Sequence, residues 1–203
     1  MYIICLDLEG VLTPEIWEEV AATSGIDKLK LTTRDIPDYD ILMMQRLEIL
    51  KQNNISLNDI QKIIAGIDLL PGALEFLDWL RSNTQVIIAT GSFTEFIQPL
   101  AKKLGYPLIF CHNLEVDETG MIINYRLRLQ NMKKKTVKAL KKLNYRVISV
   151  GDSYNDIEML KEAHFGILFR PSDKVKGEFP QIPVVTEYSQ LKILISDILR
   201  SEI

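Results

Sequence analysis

Cysteine and histidine are scarce in this chain, with two of each among 203 residues. Cys5 and Cys111 cannot make a disulfide framework. Both lie in apolar runs, so buried thiols in a reducing compartment are expected. His112 and His164 lack metal-ligand spacing and read as structural or surface groups. No run approaches the roughly 18 apolar residues a membrane span needs. The amino terminus shows neither a basic region nor a small-residue cleavage site, so a cytoplasmic protein without a membrane partner is expected. An excess of charge is also lacking, since 24 basic against 27 acidic residues leave a net −3. The one basic cluster, Lys133, Lys134 and Lys135 with Lys138, Lys141 and Lys142, is local, and no nucleic-acid partner is expected. With 47% hydrophobic residues the chain is not disordered. Its length suits one full core with a smaller subdomain.

Residues 3–6 form an apolar run that stops at Asp7, a first strand by length. Thr13 and Pro14 then open a helix to about Ser24, with Thr13 as its cap and Pro14 in the first turn, and Gly25 ends it. Two further helices are expected over residues 38–52 and, capped by Ser56, up to Ala65. From Pro71 onward helices alternate with strands at 86–89, 108–111, 147–150, 165–169 and 183–186. Helices are expected over 94–104, 132–143, 156–162 and 188–199. Glu118, Thr119 and Gly120 mark the turn of a hairpin between 114–118 and 121–127. The pattern predicts an α/β fold, a Rossmann-like parallel sheet with helices on both faces and a helical cap inserted after the first strand. The core is read as residues 1–13 and 71–203, with a hairpin at about 114–127, and the cap as 14–70.

Open parallel sheets bind ligands at the carboxyl ends of their strands. There the sequence places Asp7 and Glu9, Thr90 and Ser92, and Asp152 and Asp156, with Lys133 at the start of a helix able to return to the same edge. Carboxylates crowded this way either take up protons or hold a hard cation, and an all-oxygen donor set suits Mg²⁺. A metal, a lysine and a hydroxyl around a carboxylate make a phosphoryl-transfer constellation. Asp7 is the expected nucleophile, giving an aspartyl-phosphate. Thr90 and Lys133 would neutralise the phosphoryl oxygens, and Glu9 would protonate the leaving alkoxide and then deprotonate water. The alternative for Asp152 and Asp156 is plain helix capping. Gly91 and Ser92 offer an amide and a hydroxyl to phosphate or substrate; the plainer reading has Ser92 or Thr94 capping the next helix.

In the helix over 38–52, at about 100° per residue, Arg46 falls within the apolar arc of Leu42, Met43, Leu47, Ile49 and Leu50. A guanidinium there needs an anion, either an internal partner such as Asp35 or Asp38 or a substrate carboxylate. Trp17 and Trp79 read as packing residues.

These residues resemble the haloacid-dehalogenase superfamily of phosphohydrolases. The motifs are Asp7-Leu8-Glu9-Gly10-Val11, Thr90 ending Val86-Ile87-Ile88-Ala89-Thr90, Lys133, and Gly151-Asp152-Ser153-Tyr154-Asn155-Asp156. Order and spacing are similar to the phosphoserine phosphatase branch. Within it the ThrH-like group is approached through Thr32-Thr33-Arg34-Asp35-Ile36-Pro37-Asp38-Tyr39-Asp40 and Tyr145-Arg146-Val147-Ile148. The resemblance implies Mg²⁺-dependent cleavage of O-phosphoserine and, for ThrH-like members, phosphoryl transfer to homoserine and a homodimer. It implies a metal held by Asp7, the Leu8 carbonyl and Asp152, with Glu9 a less favoured ligand and Asp156 supporting the site or reaching the ion through water. Asn155 would orient substrate or phosphate, Arg46 would bind the substrate carboxylate, and Glu15 would take its amino group, although Glu15 stands one position closer to the nucleophile than is usual. Glu9 stands where the superfamily usually carries Asp, a trait of ThrH-like members that leaves the choice of water or alcohol acceptor open. Two other readings use the same residues: a phosphatase for another small phosphorylated metabolite, and a receiver-like phospho-aspartate signalling module. The length and the insertion after the first strand count against the receiver.

Overall fold

The computed structural model describes residues 1–32, 35–36 and 38–201. Thr33, Arg34 and Pro37, part of the ThrH-like stretch noted above, lie outside the described residues. The first strand, β1 (Tyr2–Leu6), leads to three helices, α1 (Ile16–Ser24), α2 (Tyr39–Gln52) and α3 (Leu57–Gly66). The alternating part follows as α4 (Ala73–Asn83), β2 (Gln85–Phe93), α5 (Thr94–Ala101), β3 (Ile109–Val116), β4 (Ile122–Arg126), α6 (Met132–Lys142) and β5 (Arg146–Gly151). The chain continues with α7 (Ile157–Glu162), β6 (Phe165–Phe169), α8 (Asp173–Glu178), β7 (Val184–Val185) and α9 (Tyr188–Arg200). The strands make one sheet in the order β4-β3-β2-β1-β5-β6-β7. All neighbours pair in parallel except β3 and β4.

Side chains of β1 alternate between the two faces of the sheet, as the strand period requires. Ile4 and Leu6 join one buried cluster with Ile88, Ile148 and Val150. Ile3 and Cys5 join a second with Ile87, Ala89 and Val147. Both faces are therefore covered, and the apolar runs are those of a doubly buried parallel sheet. β1 lies at the centre, with β2 on one side and β5 on the other, so the chain changes direction of winding there. That crevice is where a doubly wound sheet opens for ligands.

The helices α1, α2 and α3 form a cap inserted after β1. Their Val20, Met43, Leu47, Ile60 and Ile64 share a core with Leu8, Phe93 and Phe96, so the cap is seated on the sheet through apolar contact. The hairpin of β3 and β4 also holds it. The Leu57 amide donates to the Gly120 carbonyl at 2.9 Å, and the Tyr125 hydroxyl donates to Asp40.

The expected hairpin forms as β3 and β4, whose antiparallel pairing makes the sheet mixed. Other expectations need correction. The two strands expected at 108–111 and 114–118 are one, β3, whose first half pairs with β2 and whose second half pairs with β4. The first cap helix begins at Ile16, not at Pro14. Thr13 is fully buried, with its hydroxyl on the Leu8 carbonyl, and the Glu9 carboxylate accepts the Ile16 amide at 2.9 Å. Neither Ser92 nor Thr94 caps α5, since β2 runs on to Phe93. The Thr94 hydroxyl instead donates to the His112 carbonyl at 3.1 Å. The helix α8, capped by Ser172, was not foreseen. Cys111 is only half-buried, whereas Cys5 is buried.

Candidate active site

The turn after β1 carries the first acidic residues. Leu8 donates its amide to Asp7 Oδ1 at 2.8 Å, and Gly10 adopts a left-handed φ of 74°. A Cβ on Gly10 would lie 2.4 Å from Asp152 Cγ, and one on Gly151 would lie 2.3 Å from Asp156 Cγ. Glycine at these two positions is what lets the carboxylates of the β5 loop approach β1.

Lys133 enters from the first turn of α6 and is 7% exposed. Its Nζ lies 2.8 Å from Asp7 Oδ1, 2.8 Å from Asp156 Oδ1 and 3.0 Å from Asn155 Oδ1. Asp156 is fully buried. Its second oxygen accepts from the amides of Asp152 and Ser153 and from the Ser153 hydroxyl. Both Asp156 oxygens are thus engaged. Asp7 Oδ1 is engaged likewise, which leaves Oδ2 as the oxygen of that carboxylate without a partner among the described residues.

One ammonium cannot balance this acidity. Burial pushes the Asp7 pKa well up, Asp156 adds to the shift, and Lys133 only partly opposes it. Burial and Asp156 push Asp152 up to about 7. Burial works against the charge on Lys133, but Asp156 and Asp7 outweigh it and raise its pKa. One carboxylate oxygen from each of Asp7, Asp152 and Asp156 lies within 4.8 Å of the others. Asp152 Oδ1 is buried with no hydrogen-bond partner among the described residues. An orphaned carboxylate oxygen in an all-oxygen cluster fits a hard dication.

The Leu8 carbonyl does not fit the metal role given to it above. It accepts from the amides of Leu12 at 2.8 Å and Thr13 at 3.0 Å, as well as from the Thr13 hydroxyl. A carbonyl has two lone pairs, and both are taken. The carbonyl of Glu9 takes no part in these bonds.

A cavity of about 240 Å³ opens between this rim and the cap. Asp7, Glu9, Glu15, Arg46, Thr90, Gly91, Ser92, Lys133 and Asn155 all line it. Thr90 is buried, its hydroxyl oxygen accepts from the Ser92 amide at 3.1 Å, and its proton has no acceptor among the described residues, so it can donate into the cavity. Glu15 sits at the mouth, open to solvent on one side. The protein packed around its carboxyl, with Glu9 beside it, pushes its pKa up to about 7. Burial also raises Glu9, against the pull of the Ile16 amide. Arg46 is 7% exposed. Its Nη2 donates to the Leu31 carbonyl at 2.7 Å, and it makes no ion pair with Asp35 or Asp38. Burial pushes its pKa down to about 10.

Trp17, Tyr39, Leu42 and Phe93 also line the cavity, a role not foreseen for them. Tyr39 and Leu42 carried a readable signal, since they lie seven and four residues before Arg46 on one helical face. The two histidines lie away from the cavity, and each accepts a backbone amide on Nδ1, from Arg128 for His112 and Val147 for His164.

A Rossmann-like sheet whose central strand ends in a buried carboxylate, beside a lysine, a hydroxyl and a helical cap, defines a site of the phosphoryl-transfer class. A family model for haloacid dehalogenase-like hydrolases matches residues 1–164, and the chain belongs to that family. It is 55% identical over 192 residues to phosphoserine phosphatase ThrH of Pseudomonas aeruginosa, covering 95% of this chain and 94% of that protein. It is 53% identical over 190 residues to a phosphoserine phosphatase of Pseudomonas syringae pv. tomato, covering 94% and 80%. A crystal structure of a phosphoserine phosphatase in apo form has the same fold, with a TM-score of 0.76 at 22% identity over 95% of this chain and 97% of that one. A phospho-aspartyl intermediate analogue of a phosphoserine phosphatase matches with a TM-score of 0.74 at 21% identity, over 90% and 91%. Among the described residues no helix is long and apolar enough to cross a membrane.

Proposed function

We propose that this protein is a Mg²⁺-dependent phosphomonoesterase for O-phospho-L-serine that also passes the phosphoryl group to homoserine. The observation that carries the substrate is Arg46, a buried cation in the same cavity as Asp7 that forms no ion pair with a carboxylate among the described residues. A guanidinium so placed is suited to a carboxylate, and O-phosphoserine pairs a carboxylate with a phosphate. The names of the two Pseudomonas relatives support the same substrate. In this reading residues 14–70 form the cap that selects substrate, and residues 1–13 with 71–203 form the catalytic core.

Asp7 and Asp152 would hold the cation, with Asp156 supporting them from behind. Bound there, Mg²⁺ would neutralise phosphate charge and polarise the phosphorus. Asp7 Oδ2 attacks phosphorus as the bond to the serine oxygen breaks, and the Glu9 carboxyl gives that oxygen its proton. The ionised Glu9 then takes a proton from water or from the homoserine hydroxyl. That oxygen attacks the aspartyl-phosphate and frees Asp7. Thr90 and Lys133 donate to the phosphoryl oxygens, and Gly91 and Ser92, which line the same cavity, would add an amide and a hydroxyl. Glu15 receives the substrate ammonium, and Asn155, bonded to Lys133, orients the phosphate end.

Phosphorus NMR tests this reading. Incubation of O-phosphoserine with enzyme and Mg²⁺ is expected to give inorganic phosphate, and added homoserine to divert part of it to phosphohomoserine. No phosphate release would refute the hydrolase, and an unchanged product with homoserine would refute the transferase. Arg46→Ala is expected to raise KM for O-phosphoserine about 100-fold, and far less for O-phosphoethanolamine, which lacks the carboxylate. Equal losses on the two substrates would remove the carboxylate clamp.

A further inference from the structure

Arg46 is held by few polar contacts. Among the described residues its Nη2 has the Leu31 carbonyl, its Nη1 only the Met43 sulfur at 3.8 Å, and Nε is buried without a partner. An aromatic face lies against the guanidinium. Cζ of Arg46 stands 4.5 Å from the centre of the Trp17 ring. The indole itself is braced edge-on by Phe96 of α5, with ring centroids 5.4 Å apart. Trp17 lies on α1, Arg46 on α2 and Phe96 on α5, so this stack ties two cap helices to a helix of the core at the edge of the cavity.

We propose that Trp17 is a positioning residue that sets selectivity for carboxylated phosphate esters by holding Arg46 flat, a role that rests on the substrate reading above. A guanidinium that makes a bidentate pair must keep its plane and its distance, and an arginine free to turn loses rotamer entropy each time it binds. The indole face supplies both the plane and a favourable site for a desolvated cation. Among the described residues neither Trp17 nor Phe96 bonds to Asp7, Thr90 or Lys133, so loss of the stack is expected to act mainly on affinity for the carboxylate.

The test compares Trp17→Leu, Trp17→Phe and Arg46→Ala on O-phosphoserine and O-phosphoethanolamine with saturating Mg²⁺. Trp17→Leu is expected to raise KM for O-phosphoserine about 10-fold, several times more than for O-phosphoethanolamine, with kcat for O-phosphoserine changed little by comparison. Trp17→Phe, which keeps an aromatic face, is expected to recover most of the loss. A general packing defect would move both substrates together, and that result overturns the proposal. If Arg46→Ala discriminates between the substrates and Trp17→Leu does not, the positioning role is wrong while the carboxylate clamp stands. If neither variant discriminates, both fall.

A fluorescence titration covers the case in which Trp17→Leu does not fold. In Trp79→Phe, Trp17 is the remaining tryptophan, and O-phosphoserine is expected to change its emission more than O-phosphoethanolamine does, because only the first brings a carboxylate to the stacked cation. Equal responses to the two ligands overturn the proposal.

Discussion

Asp7→Asn is expected to lower kcat on O-phosphoserine by at least about 10⁴-fold while leaving the metal-free protein as stable as before. The amide keeps the size of the carboxylate, and its oxygen can still accept from the Leu8 amide and Lys133, the two donors at Asp7 Oδ1. It cannot form the acyl-phosphate. Asp7 is also held against its own interest, because burial and Asp156 both oppose its charge. Removing that charge relieves repulsion in the cluster and offsets what is lost in the contact with Lys133. Mass spectrometry of acid-quenched protein checks the cause. The unmodified enzyme is expected to carry phosphate on the peptide containing Asp7, and the variant none. Intact mass must exclude deamidation back to Asp, since a small reverted fraction would mimic residual activity. An Asn protein that turns over at the unmodified rate would end the assignment of Asp7 as nucleophile.

The residues that gather at the rim were legible because they stand where apolar runs break. Asp7, Thr90 and Asp152 each follow a run of buried aliphatic residues, and a parallel sheet brings such breaks to one rim. Arg46 was legible by the same physics in another period, a charge on the apolar arc of a helix. Contacts made by the main chain were not. The Leu8 carbonyl was a reasonable ligand until the turn to Thr13 is seen to occupy it. The cap of α1 was assigned to Thr13, the nearest hydroxyl, but the amide of Ile16 is satisfied by Glu9 from seven residues away. Trp17 shows a further limit. Its stacking on Arg46 depends on how α1 and α2 cross, and periodicity within either helix does not encode that crossing. β3 hid for a related reason, because one strand changes partner midway and the pairing, not the residue pattern, makes it continuous.

Lys133→Met is expected to cost both catalysis and fold, in a way that depends on pH. Methionine keeps the length and apolar stem of lysine but leaves Asp7 and Asp156 without the cation that lies 2.8 Å from each. Breaking a buried pair by removing one partner typically costs about 3–5 kcal/mol. In a chain of this size that is a fall in Tm of roughly 10 °C. The sign with pH follows from the carboxyls. Burial already holds the Asp7 pKa above its unfolded value, with Lys133 opposing the shift, so removing the lysine drives it higher. A carboxyl raised in the folded state keeps a proton that the unfolded chain releases. Its stability is fully present below the unfolded pKa near 4 and is lost as pH rises through the folded value. Urea unfolding in EDTA is therefore expected to show a small deficit at pH 5 and the full one at pH 8, with Mg²⁺ at pH 8 restoring part of it. Loss of a donor to the phosphoryl oxygens is expected to lower kcat about 10³-fold at the same time. A stability deficit that stays constant from pH 5 to 8 would mean that Lys133 acts by packing alone, and the charge balance assigned to the cluster would be wrong.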